Sequence, residues 1–267
     1  MEYCEGGKIS DRQYMLDNGI SISEVVKNVG KLYSEMIYVQ GYVHCDPHPG
    51  NVLVKKTTNG PQIVLLDHGL YVTLTDEFRL NYSSLWLSLI RRDLDGIKYY
   101  GQQLGAGPLV GLFACMVTAR SWKAVTTGID KGPVTEAETQ DIKMNAAQYM
   151  AEITQLLGMV PREMLLILKT NDLIRAIEYS LQLRATKTSF ITMSRCCVRA
   201  VYQYKRKQCS GYIRKFQVSL REQLELLRIS MYELFLWIAS SNLVQWIKGE
   251  RISDQQVAWP VKEKAAS

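Results

Sequence analysis

His44-Cys45-Asp46-Pro47-His48-Pro49-Gly50-Asn51, followed by Leu65-Leu66-Asp67-His68-Gly69-Leu70, is the stretch on which the reading of this chain turns. All three histidines of the chain fall inside it, together with two aspartates and an asparagine. Upstream, Ser21 with Glu24 forms a capping-box signal. Val25, Val26, Val29, Leu32, Tyr33, Met36 and Ile37 then recur at helical spacing up to Gly41, which predicts one amphipathic helix. Tyr42-Val43, Val52-Leu53-Val54 and Ile63-Val64-Leu65-Leu66 read as short strands, the last two joined through Asn59-Gly60 as a hairpin. Helix, strand, irregular loop with Asp then Asn, hairpin, and a strand delivering Asp-x-Gly is the order of a kinase catalytic loop and its metal-binding loop.

Phosphoryl transfer explains these residue types. One carboxylate near the acceptor hydroxyl orients it and takes its proton, while a carboxamide and a second carboxylate hold magnesium against the phosphates of ATP. Asp46 is then the base, and Asn51 and Asp67 are the Mg2+ ligands. Pro47, Pro49 and Gly50 fix the loop backbone, and Gly69 permits the turn after Asp67. His44 is expected to support the loop and His48 to orient it. Two other readings compete. The stretch could be a polar hairpin with ordinary turn residues. His44, His48 and His68 could instead form a zinc site, but sharing one helical face is opposed by Pro47 and Pro49.

Outward from this centre, 267 residues with 47% hydrophobic and 22% charged side chains can bury one large core or two small ones. The cysteines Cys4, Cys45, Cys115, Cys196, Cys197 and Cys209 form no C-x-x-C pattern, which suits a reducing compartment. The net charge of +6 is uneven: nine Lys/Arg stand against two Glu between Arg195 and Arg228. Such a run is either a solvated helix face or a surface for phosphates or anionic lipid. Tyr202, Tyr204 and Tyr212 interleave with it without a recognised nucleic-acid motif, so no nucleic acid is expected as a partner. No targeting segment is visible at the start.

Helices are predicted over residues 75–92, 109–126, 136–157, 161–184, 188–208 and 212–248, and a strand end over Met1–Glu5 before a turn at Gly6-Gly7. In the last helix, Ile229 to Ile247 carries a single charge, Glu233. That charge and the cluster Ser240-Ser241-Asn242 favour a buried or membrane-surface helix over a span.

The motifs HCDPHPGNVLV and LLDHGL, with MEYCEGGKISD before them, closely resemble those of the aarF-domain-containing (ADCK/UbiB) atypical kinases. The resemblance implies a mainly α fold with a small β hairpin, the carboxyl-terminal lobe of a protein-kinase-like domain. It also implies ATP and Mg2+ as cofactors, the backbone of Glu2 to Cys4 as an adenine contact at the hinge, and an unknown small-molecule, lipid or protein acceptor. Mitochondrial location, an anionic membrane surface and lipid homeostasis follow from the family as well. Cys45 stands where protein kinases have Arg, and His68 where they have Phe. Between Gly69 and Thr75 there is no room for a long activation loop and no A-P-E follows, so ordinary peptide phosphorylation is not expected. The family's KxGQ segment, alanine-rich loop, strand lysine and its glutamate partner would lie before Met1. The expectation is therefore a chain lacking the amino-terminal lobe and weakly active by itself, organised as a hinge remnant (1–20), the catalytic and metal-binding loops (21–74), a helical remainder (75–210) and a terminal amphipathic helix and tail (211–267). The alternative function is a noncatalytic, membrane-associated scaffold or interaction module.

Overall fold

Gly6 and Gly7 lead into a strand, not a turn. The computed structural model describes residues 3–127, 138, 149–181 and 187–240. In it β1 (Gly7–Lys8) runs antiparallel to β3 (Val52–Thr57), which pairs in turn with β4 (Gly60–Leu65). A side chain at Gly7 would collide with the Tyr14 ring of α1 (Arg12–Asp17), so glycine lets the helix lie close over the strand. The strand predicted at Met1–Glu5 is corrected accordingly: residues 3–5 pair with nothing regular, and the described pairing begins at Gly7. The helix α1 is an addition, capped by Asp11, whose Oδ1 accepts the Tyr14 amide at 2.9 Å.

The capping serine works as its spacing predicts: Ser21 Oγ accepts from the Glu24 amide and opens α2 (Ile22–Ser34). The helix then widens into a π-helical turn, Glu35–Gln40, closed by Gly41 at φ 71°. Widening leaves carbonyls unpaired, and Arg79 donates to those of Tyr38 and Val39. Val25, Val26, Val29 and Tyr33 of α2 pack on Val52 and Val54 of β3 in one buried cluster. Gly41 delivers the chain into β2 (Tyr42–His44), which pairs antiparallel with β5 (Tyr71–Thr73). The small β hairpin is thus part of a larger arrangement of two antiparallel sheets, one of three strands and one of two, in a mainly helical chain.

Helices follow. Thr75 caps α3 (Asp76–Arg91), and Arg92 in the left-handed region hands over to Asp93, which caps α4 (Leu94–Gln103) through its Oδ1 and the Gly96 amide at 3.0 Å. Sequence periodicity does not show that helix, because the loose run with Gly96 and Gly101 conceals it. The helix predicted over 109–126 is broken at Ala119, φ 52°, into α5 (Val110–Thr118) and α6 (Trp122–Thr127). Beyond come α7 (Met150–Met159), α8 (Arg162–Ser180), α9 (Lys187–Gln208) and α10 (Tyr212–Ser240). Most of the predicted helix 136–157, the stretch 241–248 of the last helix and the tail to 267 lie outside the described residues.

The chain divides into two units, Met1–Leu226 and Leu227–Ser267. In the first, α9 packs on α2, α3 and the π-helical turn, burying Cys196 and Cys197. Its basic run is more than a solvated face: Arg199 pairs with Glu35 at 3.1 Å, Arg206 with Glu222 at 3.0 Å and Lys207 with Asp76 at 2.8 Å. Glu222 belongs to α10 and is 6% exposed, whereas Ile213, Phe216, Leu220 and Leu224 of the same helix are 76, 68, 51 and 50% exposed. Up to Leu226 this helix therefore buries Glu222 beside the half-buried Val218, Glu225 and Leu226, and exposes four large apolar side chains among Arg214, Lys215 and Arg221. Among the described residues, no helix is long and apolar enough to cross a membrane.

Candidate active site

The short strand β2 ends on His44, which is fully buried. Its Nε2 lies 3.0 Å from the carbonyl oxygen of Asp67, and its Nδ1 lies 3.4 Å from the Tyr33 hydroxyl of α2. A carbonyl can only accept, so Nε2 carries the proton, and Nδ1 is left to accept from Tyr33. Burial foremost, then the neighbouring Cys45, Tyr71 and Asp46, pushes the Tyr33 phenol well above its ordinary range, keeping the donor proton in place. One imidazole thus joins the helix to the backbone at Asp67. Asp67 itself has φ 54°, a left-handed conformation that Asp tolerates better than most residues, and its Oδ1 accepts the Gly69 amide at 3.3 Å.

Cys45 is fully buried, and its Sγ–H donates to the Val43 carbonyl at 3.4 Å. Burial raises its thiol above the usual value, so the group in the arginine position of a protein kinase is an uncharged packing residue. Asp46 follows, half-buried. The loop then turns through His48, whose Nδ1 accepts the Gly50 amide at 3.1 Å and whose carbonyl accepts the Asn51 amide at 2.7 Å. The Asn51 carbonyl accepts the Leu66 amide at 2.7 Å, which locks its backbone to the end of the hairpin. From this fixed base the Asn51 side-chain amide donates to the Asp46 carbonyl and to Asp46 Oδ2, both at 3.3 Å. The remaining carboxylate oxygen, Oδ1, is held by Lys169 Nζ of α8 at 3.0 Å.

Lys169 is the residue that sequence reasoning missed. It lies 123 positions from Asp46, in a helix without a recognisable motif. Of the other sequence candidates, His68 is exposed, stacks on Tyr71 with ring planes 10° apart and shares a 2.7 Å hydrogen bond with its hydroxyl. The polar ring in the usual phenylalanine position therefore faces outward. Cys4 is partly exposed in the lead-in to β1, and Glu2 lies outside the described residues.

Among the described residues, no group of three His, Cys, Asp or Glu side chains is arranged to hold a metal ion. The three histidines are spent on Asp67, Gly50 and Tyr71, and do not converge as zinc ligands would. The residues that could hold a metal here are oxygen donors: the Asn51 carboxamide oxygen, left over when its nitrogen faces Asp46, and the Asp67 carboxylate, one of whose oxygens accepts the Gly69 amide. A sparse, hard-oxygen set suits Mg2+, which keeps waters and takes the balance of its ligands from phosphates.

A model of the ABC1 atypical kinase-like domain matches residues 1–101, the segment that carries this site up to α4. AarF domain-containing protein kinase 1 of Gallus gallus is 54% identical over 249 residues, covering 92% of this chain and 48% of the relative. The Mus musculus protein of the same name is 53% identical over 249 residues, 92% and 47% of the two chains. AarF domain-containing kinase 1 of Drosophila melanogaster is 44% identical over 252 residues, 93% and 49%. The chain spans about half the length of the curated relatives it matches. No solved structure matches. Likeness at this level covers the loop His44–Asn51 and the helices that follow it, and the chain belongs to the ABC1/AarF family of atypical kinase-like proteins.

Proposed function

We propose that these loops carry Mg-ATP-dependent phosphoryl chemistry, as an atypical kinase or ATPase, in a protein of the relatives' full length. The observation that supports it most is the tie between Asp46 and Asn51, with His44, two residues before Asp46, holding the Asp67 backbone. Asp46 orients an acceptor hydroxyl from a small molecule, lipid, protein or water. As the acceptor oxygen bonds to the γ-phosphorus of ATP, the bond to the β-phosphate oxygen breaks, the hydroxyl proton passes to Asp46, and ADP departs. Asn51 and Asp67 would hold the Mg2+, which supplies positive charge against the phosphates. Mitochondrial lipid or membrane homeostasis is the setting that the family resemblance suggests.

Asp67→Asn tests this in the full-length protein, because Asn tolerates the left-handed backbone and retains an acceptor for Gly69. Mg-ATP affinity, measured by calorimetric titration, should fall about 30-fold on loss of the charged ligand. Unchanged affinity overturns the reading.

A second reading, a membrane-associated interaction module, is favoured by the outward apolar side of α10 up to Leu226, accompanied by Arg214, Lys215 and Arg221. An open surface depression lined by Gln203, Arg206, Lys207 and Lys215 adds basic groups nearby. Co-sedimentation with phosphatidylcholine vesicles should rise when cardiolipin is included, and Leu220→Glu should weaken it about tenfold. Binding indifferent to both changes removes this reading.

A further inference from the structure

A phosphoryl-transfer base faces an electrostatic problem: its carboxylate stands beside the negative oxygens of a triphosphate. The loop His44–Asn51 contains neither lysine nor arginine, so it supplies no charge to offset Asp46. The offset comes from α8, where Lys169 Nζ lies 3.0 Å from Asp46 Oδ1. The helix holding it is anchored. Asn171 donates to the Tyr82 hydroxyl of α3 at 3.0 Å, Arg175 donates to the Val117 carbonyl at the end of α5, and Ile177 is buried in the cluster with α2 and β3. Thr170, next to Lys169, is fully buried and lies against the Cys45 thiol. The backbone carrying the ammonium is therefore set by packing on the same loop that carries the base. Both carboxylate oxygens are then held, Oδ1 by Lys169 and Oδ2 by Asn51, which leaves Asp46 little rotational freedom. At the 50 and 33% exposure of the two side chains, the pair is open to solvent and adds little to folding stability. Its geometry serves the site.

Resting on the phosphoryl-transfer reading, we propose that Lys169 is a positioning residue for Asp46: it fixes the carboxylate toward the acceptor and offsets its charge against the incoming nucleotide. It deepens that reading by assigning the acceptor side of the site to the helical part of the chain, beyond the two loops.

The experiment uses the full-length protein, with ADP release and calorimetric Mg-ATP titration on the wild type, Lys169→Met and Lys169→Arg. Lys169→Met should lower kcat about 100-fold, the cost of losing orientation at the reacting group, and weaken Mg-ATP affinity by a smaller factor of about three to tenfold, because the Asp46 charge then faces the phosphates without its offset. Its melting temperature should move by no more than about 3 °C, as for an exposed ion pair. Lys169→Arg should recover at least about tenfold of the lost kcat, because one charge-assisted contact to Oδ1 suffices. A Lys169→Met protein with wild-type kcat overturns the proposal while leaving the phosphotransferase reading intact. So does an Arg variant as slow as the Met variant, since that marks a packing role. A wild type that neither binds nor turns over Mg-ATP removes both.

Discussion

Asp46→Asn in the full-length protein is expected to lower turnover by about 1000-fold while Mg-ATP affinity stays within a few-fold of wild type, because a positioned general base contributes roughly 10²–10⁴-fold. The substitution preserves shape. Its carboxamide oxygen can still accept from Lys169 or from Asn51, but its nitrogen must turn toward the other donor, so one of the two ties at 3.0 and 3.3 Å is lost. More important, an amide cannot take the acceptor's proton. Nucleotide binding, which the proposed function assigns to other groups, should shift only modestly and toward tighter binding, since the Lys169 ammonium is left without its carboxylate. Single-turnover ADP formation beside calorimetric binding separates the two effects. Turnover within threefold of wild type would remove Asp46 from the chemistry, whatever the fate of Asn51 and Asp67.

The contacts of the two loops were legible because they are local. Asp46, Asn51 and Asp67 are carried by adjoining turns and strands, and glycine, proline and asparagine mark those turns in the sequence itself. The partner of Asp46 was not legible for the opposite reason. Lys169 meets it only because α8 packs on β5 and α2 far along the chain, and no spacing rule spans such a distance. The helical reading failed in the same physical terms. Ala119 gives no sequence sign of its left-handed φ of 52°, so one helix was expected where two form. In α4 only Ile97 and Gly101 are buried, too sparse a face to stand out as periodicity. For α10, periodicity shows which residues share a side but not which side is covered. The ion pairs of Glu222 with Arg206 and of Glu225 with Arg91 draw these two carboxylates to the covered side, where the usual rule would place apolar residues.

His44 is where fold and site are the same thing, and His44→Ala should cost about 3–5 kcal/mol, from an emptied buried position and two abandoned hydrogen bonds. Removal of the ring leaves the Asp67 carbonyl without its donor and the Tyr33 hydroxyl, on a residue only 2% exposed, without its acceptor. Against a typical domain stability of about 5–15 kcal/mol, this is a large share of the total. Tyr33→Phe removes one of those bonds from the other end and should cost only about 1 kcal/mol. If the imidazole is the joint, the double variant is less damaging than the sum of the singles, since a phenylalanine ring on α2 leaves no hydroxyl stranded. Urea unfolding of all three variants gives the comparison directly. Because the same ring holds the Asp67 backbone in its left-handed turn, His44→Ala should also weaken Mg-ATP binding under conditions where the protein remains folded. Strict additivity with Tyr33→Phe, together with unaltered nucleotide affinity, would show that His44 fills space there and does not couple α2 to the loop at Asp67.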